Sequence, residues 1–255
     1  MGIEQTDRSA ERSGRDLRTE LLRTSRELLN EGGPSALSMR EVARRARCTH
    51  QAPYHHFANR EAILAALVCE GFEELAERLC AVHDGLEVHG LLATLKASGD
   101  AYIEFALRNP GVFRVMFRPD MCAPERFPEV VRASTRARGE LARLASMVAG
   151  REKAAPEIEA SIWAFVHGLA SLLLDGPLLA EHETLSERMD FARRVTRLNA
   201  APLAALAHLQ THGNGVAHSL LDIVRIDEQH AVRRERLRVR AERRKLVGKR
   251  HDPRV

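Results

Sequence analysis

The sequence predicts an all-α protein, and three observations carry that prediction. Only 4% of the 255 residues are aromatic while Ala, Leu, Arg and Glu dominate, a mixture that favours helix over sheets built from β-branched and aromatic side chains. Apolar residues recur at three- and four-residue spacing, the period of a helix buried on one face, and no segment alternates with the period of two expected of a half-buried strand. At 44% hydrophobic and 29% charged, the chain can fill a core, which excludes disorder throughout. No run reaches the roughly 18–20 uninterrupted apolar residues of a membrane span, and Met1 to Arg15 lacks the apolar stretch of a secretory signal. Cys48, Cys69, Cys80 and Cys122 form no CxxC pair, so they read as free thiols of a reducing cytoplasm.

The elements follow in order. Met1 to Ser13 is polar and aperiodic, and is expected to be a disordered arm. Leu17, Leu21, Leu22, Leu28 and Leu29 form the stripe of a first helix, closed by Gly32-Gly33-Pro34, where a left-handed cap and a helix breaker coincide. Ser38-Met39-Arg40-Glu41 is a capping box opening a short helix to about Ala46. After a tight connection at Arg47-Cys48, Thr49 is an N-cap candidate for a helix over about His50 to Phe57 that tolerates Pro53 near its first turn. Asn59 caps a fourth helix, carrying Ile63, Leu64, Leu67, Val68, Phe72, Leu75 and Leu79 until Asp84-Gly85. Helices are then expected at about 90–108, 110–117, 128–149, 156–175 and 186–210, punctuated by Asn109-Pro110, Arg118-Pro119, Gly150 and Gly176-Pro177, with 118–128 an irregular loop.

The formal charge of +4 conceals an asymmetry. Residues 233–255 hold 11 Lys/Arg against 3 acids, a local +8, so the rest of the chain is mildly acidic at −4. A case for nucleic acid must therefore rest on a local cluster. One exists between Ser38 and Arg60, where five arginines and one acid, Glu41, stand with His50, His55 and His56.

Two short helices joined by a tight turn, the second polar at its start, match the helix-turn-helix arrangement, in which the second helix meets base edges in the major groove. The runs Ser38-Met39-Arg40-Glu41-Val42-Ala43-Arg44-Arg45-Ala46, Thr49, Tyr54-His55-His56-Phe57 and Asn59-Arg60-Glu61-Ala62-Ile63-Leu64 resemble the tetracycline-repressor (TetR) family of bacterial regulators. That pattern usually has glycine where Arg47 stands and often lysine where Arg60 stands. Further along, Ala101-Tyr102-Ile103-Glu104-Phe105-Ala106 with Asn109 to Phe117, and Trp163-Ala164-Phe165-Val166-His167-Gly168, resemble the ligand domain of the family's Trp–His–Gly branch. The resemblance implies an N-terminal three-helix helix-turn-helix domain over 15–75 (motif 38–57), a helical ligand-binding and dimerisation domain over 86–211, and a basic tail over 212–255 without family counterpart. It implies a ligand-responsive repressor that binds a palindromic double-stranded DNA operator as a homodimer and responds to an unidentified small-molecule effector, without membrane attachment.

Candidate DNA contacts are Ser38, Arg40, Thr49, His50, Gln51, Ala52, Tyr54, His55 and Arg60: His50, Gln51 and Ala52 for base edges, Tyr54 and His55 for phosphates, with His56 and Phe57 packing inside the small unit. Tyr102, Phe105, Phe113, Met116, Phe117, Trp163 and His167 are candidates to line a ligand pocket, although an aromatic or Met residue at helical spacing is core more often than cavity, and His167 reads as packing or dimer contact rather than ligation. A rival reading is a helical small-molecule carrier or protein-interaction module whose DNA-reading unit has degenerated. An enzyme ranks last, because no nucleophile–base pair is legible; His208 and His212 stand four apart without the glutamate of a zinc-protease motif, and neither metal nor cofactor is implied.

Overall fold

The computed structural model describes residues 3–152 and 154–212, which are all-α without a strand. The basic segment expected over 212–255 lies, beyond His212, outside the described residues. The N-terminal unit comprises α1 (Ile3–Ala36), α2 (Met39–Arg45) and a 3₁₀ turn, Ala52–His55. The long helix α3 (Arg60–His83) leads through the one-turn α4 (Leu86–His89) into α5 (Leu91–Arg108), α6 (Pro110–Met116), α7 (Pro128–Ala149), α8 (Pro156–Leu174), the short α9 (Leu178–Glu181) and α10 (Leu185–His212).

Local signals place most boundaries. The α1 path breaks at Gly33, φ 65°, Asn59 caps α3 by accepting from the Ala62 N–H at 2.9 Å, and α7 ends on Gly150 at φ 59°. Four expectations need correction. The N-terminal arm is helical from Ile3, since residues such as Glu4, Gln5, Ala10 and Glu11 extend an already nucleated helix at little cost. Only half of the capping box forms: Ser38 Oγ accepts from the Glu41 N–H at 3.1 Å, but the Glu41 carboxylate turns to Arg44. The helix expected over His50 to Phe57 contracts to the four-residue 3₁₀ turn, without a side-chain cap from Thr49, because buried Pro53 has no N–H to give an α-helical ladder. The short α4 and α9 carry too few residues to show a period.

The main core is continuous from Leu21 and Leu29 of α1 through Val42, Phe57 and Leu64 to Phe105, Val112 and Leu173, so α3 serves the N-terminal unit and the larger helical body alike. A second cluster gathers Leu92 and Leu95 of α5, Leu144 of α7, Ile162 of α8 and Ala200 of α10. Between the N-terminal unit and the body, Asn109-Pro110-Gly111 makes the joint. A Cβ on Gly111 would stand 2.4 Å from the Leu29 carbonyl carbon, its N–H donates to Asn30 Oδ1 at 2.9 Å, and Arg26 donates to Asn109 Oδ1 at 2.9 Å and Glu70 at 3.0 Å. Helix α8 is long and apolar enough on composition to cross a membrane, yet Glu157, Glu159 and His167 interrupt it and Ile162, Val166, Leu169 and Leu173 are buried in the body.

Candidate nucleic-acid interface and ligand cavity

The tight connection after α2 is a Schellman motif: Arg47 N–H donates to Arg44 O at 3.3 Å and Cys48 N–H to Ala43 O at 3.0 Å. Arg47 occupies the left-handed position at φ 55°, where glycine is the unstrained choice. The chain then turns through Ala52 N–H to Thr49 O at 3.0 Å and Tyr54 N–H to Gln51 O at 3.1 Å. Ser38, Arg40, Thr49, His50, Gln51, Tyr54 and His55 are all exposed on these two packed elements, with Ala52 half-buried between them. The Tyr54 ring, 46% exposed, lies against the His50 imidazole with centroids 6.1 Å apart. A large aromatic ring left in water beside polar side chains, on a unit whose Phe57 and Pro53 are buried, points to a surface that meets a partner.

The arginines divide sharply. Arg44 pairs with Glu41 and Arg45 with Glu31, each at 2.6 Å, and Arg60 donates to the Leu37 and Pro34 carbonyls at 2.8 and 2.6 Å. Arg60 therefore ties the α1–α2 connection to α3, and its guanidinium is occupied. Arg40 and Arg47 are exposed and carry no ion pair among the described residues. Arg47 was missed as a candidate contact, because from sequence it reads as a departure from glycine; it stands exposed, at positive φ, in the connection between α2 and the 3₁₀ turn.

A cavity of about 460 Å³ sits where the two core clusters meet, walled by α3, α5, α7, α8 and α10. Of the sequence-derived pocket candidates, Tyr102, Phe117 and Trp163 line it. Phe105, Phe113 and Met116 do not; they fill the main core at 0%, 4% and 7% exposure. His167 also stands off the cavity, within the aromatic cluster: its Nδ1 shares a hydrogen bond with Tyr102 Oη at 3.0 Å and its ring lies 4.7 Å from that of Phe117. Burial holds the His167 imidazole below its ordinary range and the Tyr102 hydroxyl above its own, so both are neutral.

Sequence reading missed the polar residues of the lining, among them His83, Ser98, Thr196, Asn199, Arg138 and Glu159. His83, 1% exposed, places Nδ1 2.7 Å from Glu140 Oε2 and Nε2 3.0 Å from Ser98 Oγ. Burial pushes its imidazole down, against the upward pull of Glu140, so the ring is neutral with Nδ1–H donated to the carboxylate. Serine, histidine and carboxylate thus stand in relay order. Ser98, however, lies in mid-helix with its hydroxyl 2.8 Å from the Thr94 carbonyl, where the helix's own ladder consumes the backbone N–H groups that an oxyanion would require. The trio is suited to recognition rather than acyl transfer. Beside Gly99 on the same helix as Ser98, Thr196 of α10 donates to Asp100 at 2.8 Å, whose carboxyl burial pushes upward.

A short pair of elements with exposed polar and aromatic side chains, set on a helical body with an apolar cavity, defines an all-helical DNA-binding transcriptional regulator. Residues 21–67 match the family described as bacterial regulatory proteins, tetR family, and residues 95–198 match the tetracyclin repressor-like C-terminal domain. The chain belongs to the TetR family, a class of regulators rather than enzymes; the two matches together take in more than half of it. It is similar to a structure of a protein with unknown function from Rhodococcus sp. RHA1, at 28% identity and TM-score 0.56 over 72% of this chain and 94% of that one. At the level of fold it resembles a regulatory protein of the tetR family from Rhodococcus RHA1, with 20% identity, TM-score 0.58 and coverage of 72% and 95%. The fold is likewise that of the TetR family transcriptional regulator PfmR from Thermus thermophilus, with 19% identity, TM-score 0.54 and coverage of 70% and 95%. No curated protein matches this chain.

Proposed function

We propose that this regulator is a cytoplasmic, ligand-responsive repressor that grips a palindromic operator as a homodimer. The observation that carries the reading is the exposed surface of α2 and the 3₁₀ turn, where His50, Gln51 and Tyr54 stand in solvent beside Arg40 and Arg47, two cations without an ion pair among the described residues. His50, Gln51 and Ala52 meet base edges; Ser38, Arg40, Thr49, Tyr54, His55 and Arg47 hold phosphates, and Arg60 positions the unit from behind. The effector occupies the cavity, one wall of which is the far end of α3, the same helix that Asn59 starts beside the reading turn.

The dimer face is the outer side of α8 and α10. Leu172 is 44% and Leu198 75% exposed, and a Cβ added to Gly168 would meet open space, leaving room for a second helix to approach closely. A two-fold axis there gives the operator its symmetry. Selection of DNA from a random pool tests the reading: enrichment of a palindrome bound by a dimer in sedimentation supports it, and enrichment of no sequence overturns it.

A further inference from the structure

We infer that the effector is a neutral, predominantly apolar molecule carrying a hydroxyl group, and that Ser98 with His83 is the acceptor that reads the hydroxyl. The inference rests on the effector-cavity reading above and adds the chemical class of the ligand.

Hydrogen-bond valence decides the polar requirement. With Nδ1–H of His83 donated to Glu140 at 2.7 Å, Nε2 carries a lone pair and accepts from Ser98 Oγ at 3.0 Å. The single Ser98 proton is shared between that nitrogen and the Thr94 carbonyl at 2.8 Å. What remains on Ser98 Oγ is lone-pair density at the cavity wall, which asks a ligand for a donor. Both residues are nearly inaccessible to solvent, at 3% and 1%, so a hydrogen bond formed there escapes competition from water.

Charge decides the rest. The buried imidazole is neutral and Glu140 lies behind it, so an anionic ligand head would face an acceptor backed by a carboxylate. A cationic head would find its counter-charge already engaged by His83 at 2.7 Å and flanked by Arg143 at 3.7 Å. Around these groups the wall is Leu75, Leu79, Leu95, Leu144, Ile162 and Val166, a lining in which an unpaired ionic group is heavily penalised. Arg138 and Glu159 bring opposite signs to the lining and select neither ion. A hydroxyl satisfies the acceptor without importing charge.

Trp163, the single tryptophan of the chain, lines this cavity and reports on occupancy. The test is titration of the full-length protein with adamantane, 1-adamantanol, 1-adamantanecarboxylate and 1-adamantanamine, followed by Trp163 emission. The alcohol is expected to bind about three- to tenfold more tightly than the hydrocarbon, the worth of one hydrogen bond, and both ions more weakly than either. Ser98→Ala alone frees the Nε2 lone pair of His83 to accept in its place, so the test pairs it with His83→Leu: the double variant is expected to bring the alcohol down to the affinity of the hydrocarbon, and continued binding of the hydrocarbon certifies the fold. Should the double variant fail to fold, the order of the four probes on the unaltered chain decides. Tighter binding of the carboxylate or the amine, an alcohol preference that survives the double substitution, or no change in emission with any probe overturns the inference. Operator binding is measured on the same preparation: its loss refutes the regulator reading, whereas intact operator binding with the wrong probe order refutes only the ligand class.

Discussion

The two ends of α3 solve recognition in opposite ways. At its N-terminal end the chemistry is exposed, carried by Gln51, Tyr54, Arg40 and Arg47, and only the frame beneath is fixed, by Ser38, Asn59, Phe57 and the Arg60 clamp. At its C-terminal end the chemistry is buried: His83 and Ser98 each have their partners inside the fold. A surface that meets a polyanion keeps its charges free and spends order on the backbone, since phosphate supplies the missing partner. A cavity has no such partner, so its polar groups must be satisfied in advance and offer only the valence left over.

The sharpest way to break the comparison is to separate the ends. Gly111→Val drives side-chain carbons into the Leu29 backbone, a clash that backbone cannot relieve cheaply. A destabilisation of about 3 kcal/mol is expected from overpacking, read as a fall in thermal midpoint or the splitting of one unfolding transition into two; an unchanged melt would show that the joint is soft.

Next in size is the proposed dimer face on α8 and α10. Leu172→Arg and Leu198→Arg are expected to yield monomers in sedimentation and to weaken operator binding at least about a hundredfold, while leaving the monomer's stability within about 0.5 kcal/mol, as for exposed sites generally. A variant that stays dimeric would move the interface elsewhere.

Within the reading surface, Gln51→Ala is expected to relax the base preference at one half-site position by about 1–3 kcal/mol, and Tyr54→Ala to weaken every operator variant alike. Uniform effects from both would remove Gln51 from the base-reading set. Arg47→Gly trades a strained left-handed residue for an unstrained one and is expected to stabilise the fold by about 1 kcal/mol. The same change should reduce the salt slope of DNA binding by about one contact.

The buried end responds to pH instead. Burial lowers the imidazoles of His83 and His167 below the ordinary 6.5, so between that value and their folded values the unfolded chain binds more protons than the folded one. Their contribution to stability is complete above about pH 6.5 and is lost as pH falls toward the folded values. Thermal midpoints between pH 7.5 and 5 should show the decline, and His167→Gln should flatten part of it. A midpoint that rises on acidification would reverse the assignment.

These two ends also differ in how far they could be read from sequence. The N-terminal frame rests on local signals, so Ser38, Asn59, Gly33 and the odd geometry at Arg47 were legible as caps and turns. What failed there, the length of the reading helix, failed because Pro53 outweighs the polar start of the segment. The cavity is assembled from residues far apart in the chain, His83 on α3, Ser98 on α5, Leu141 on α7 and Asn199 on α10. Their common feature is position in space. Of the aromatic candidates, helical spacing could not tell Phe105, which faces the core, from Tyr102, which also faces the void. The partition of the arginines was hidden for the same reason: Arg45 finds Glu31 and Arg60 finds Pro34 only after α1, α2 and α3 have packed.

The length of the proposed reading turn limits how many bases it can meet. Four residues of 3₁₀ helix rise by about 2.0 Å each, so the turn is about 8 Å long, whereas each step along a DNA strand advances about 3.4 Å. A segment of that length runs alongside between two and three base pairs. On the proposed reading, most of the information in an operator half-site would be confined to a few adjacent positions, and the distance between two such islands, set by how the two protomers are joined, would become part of the message.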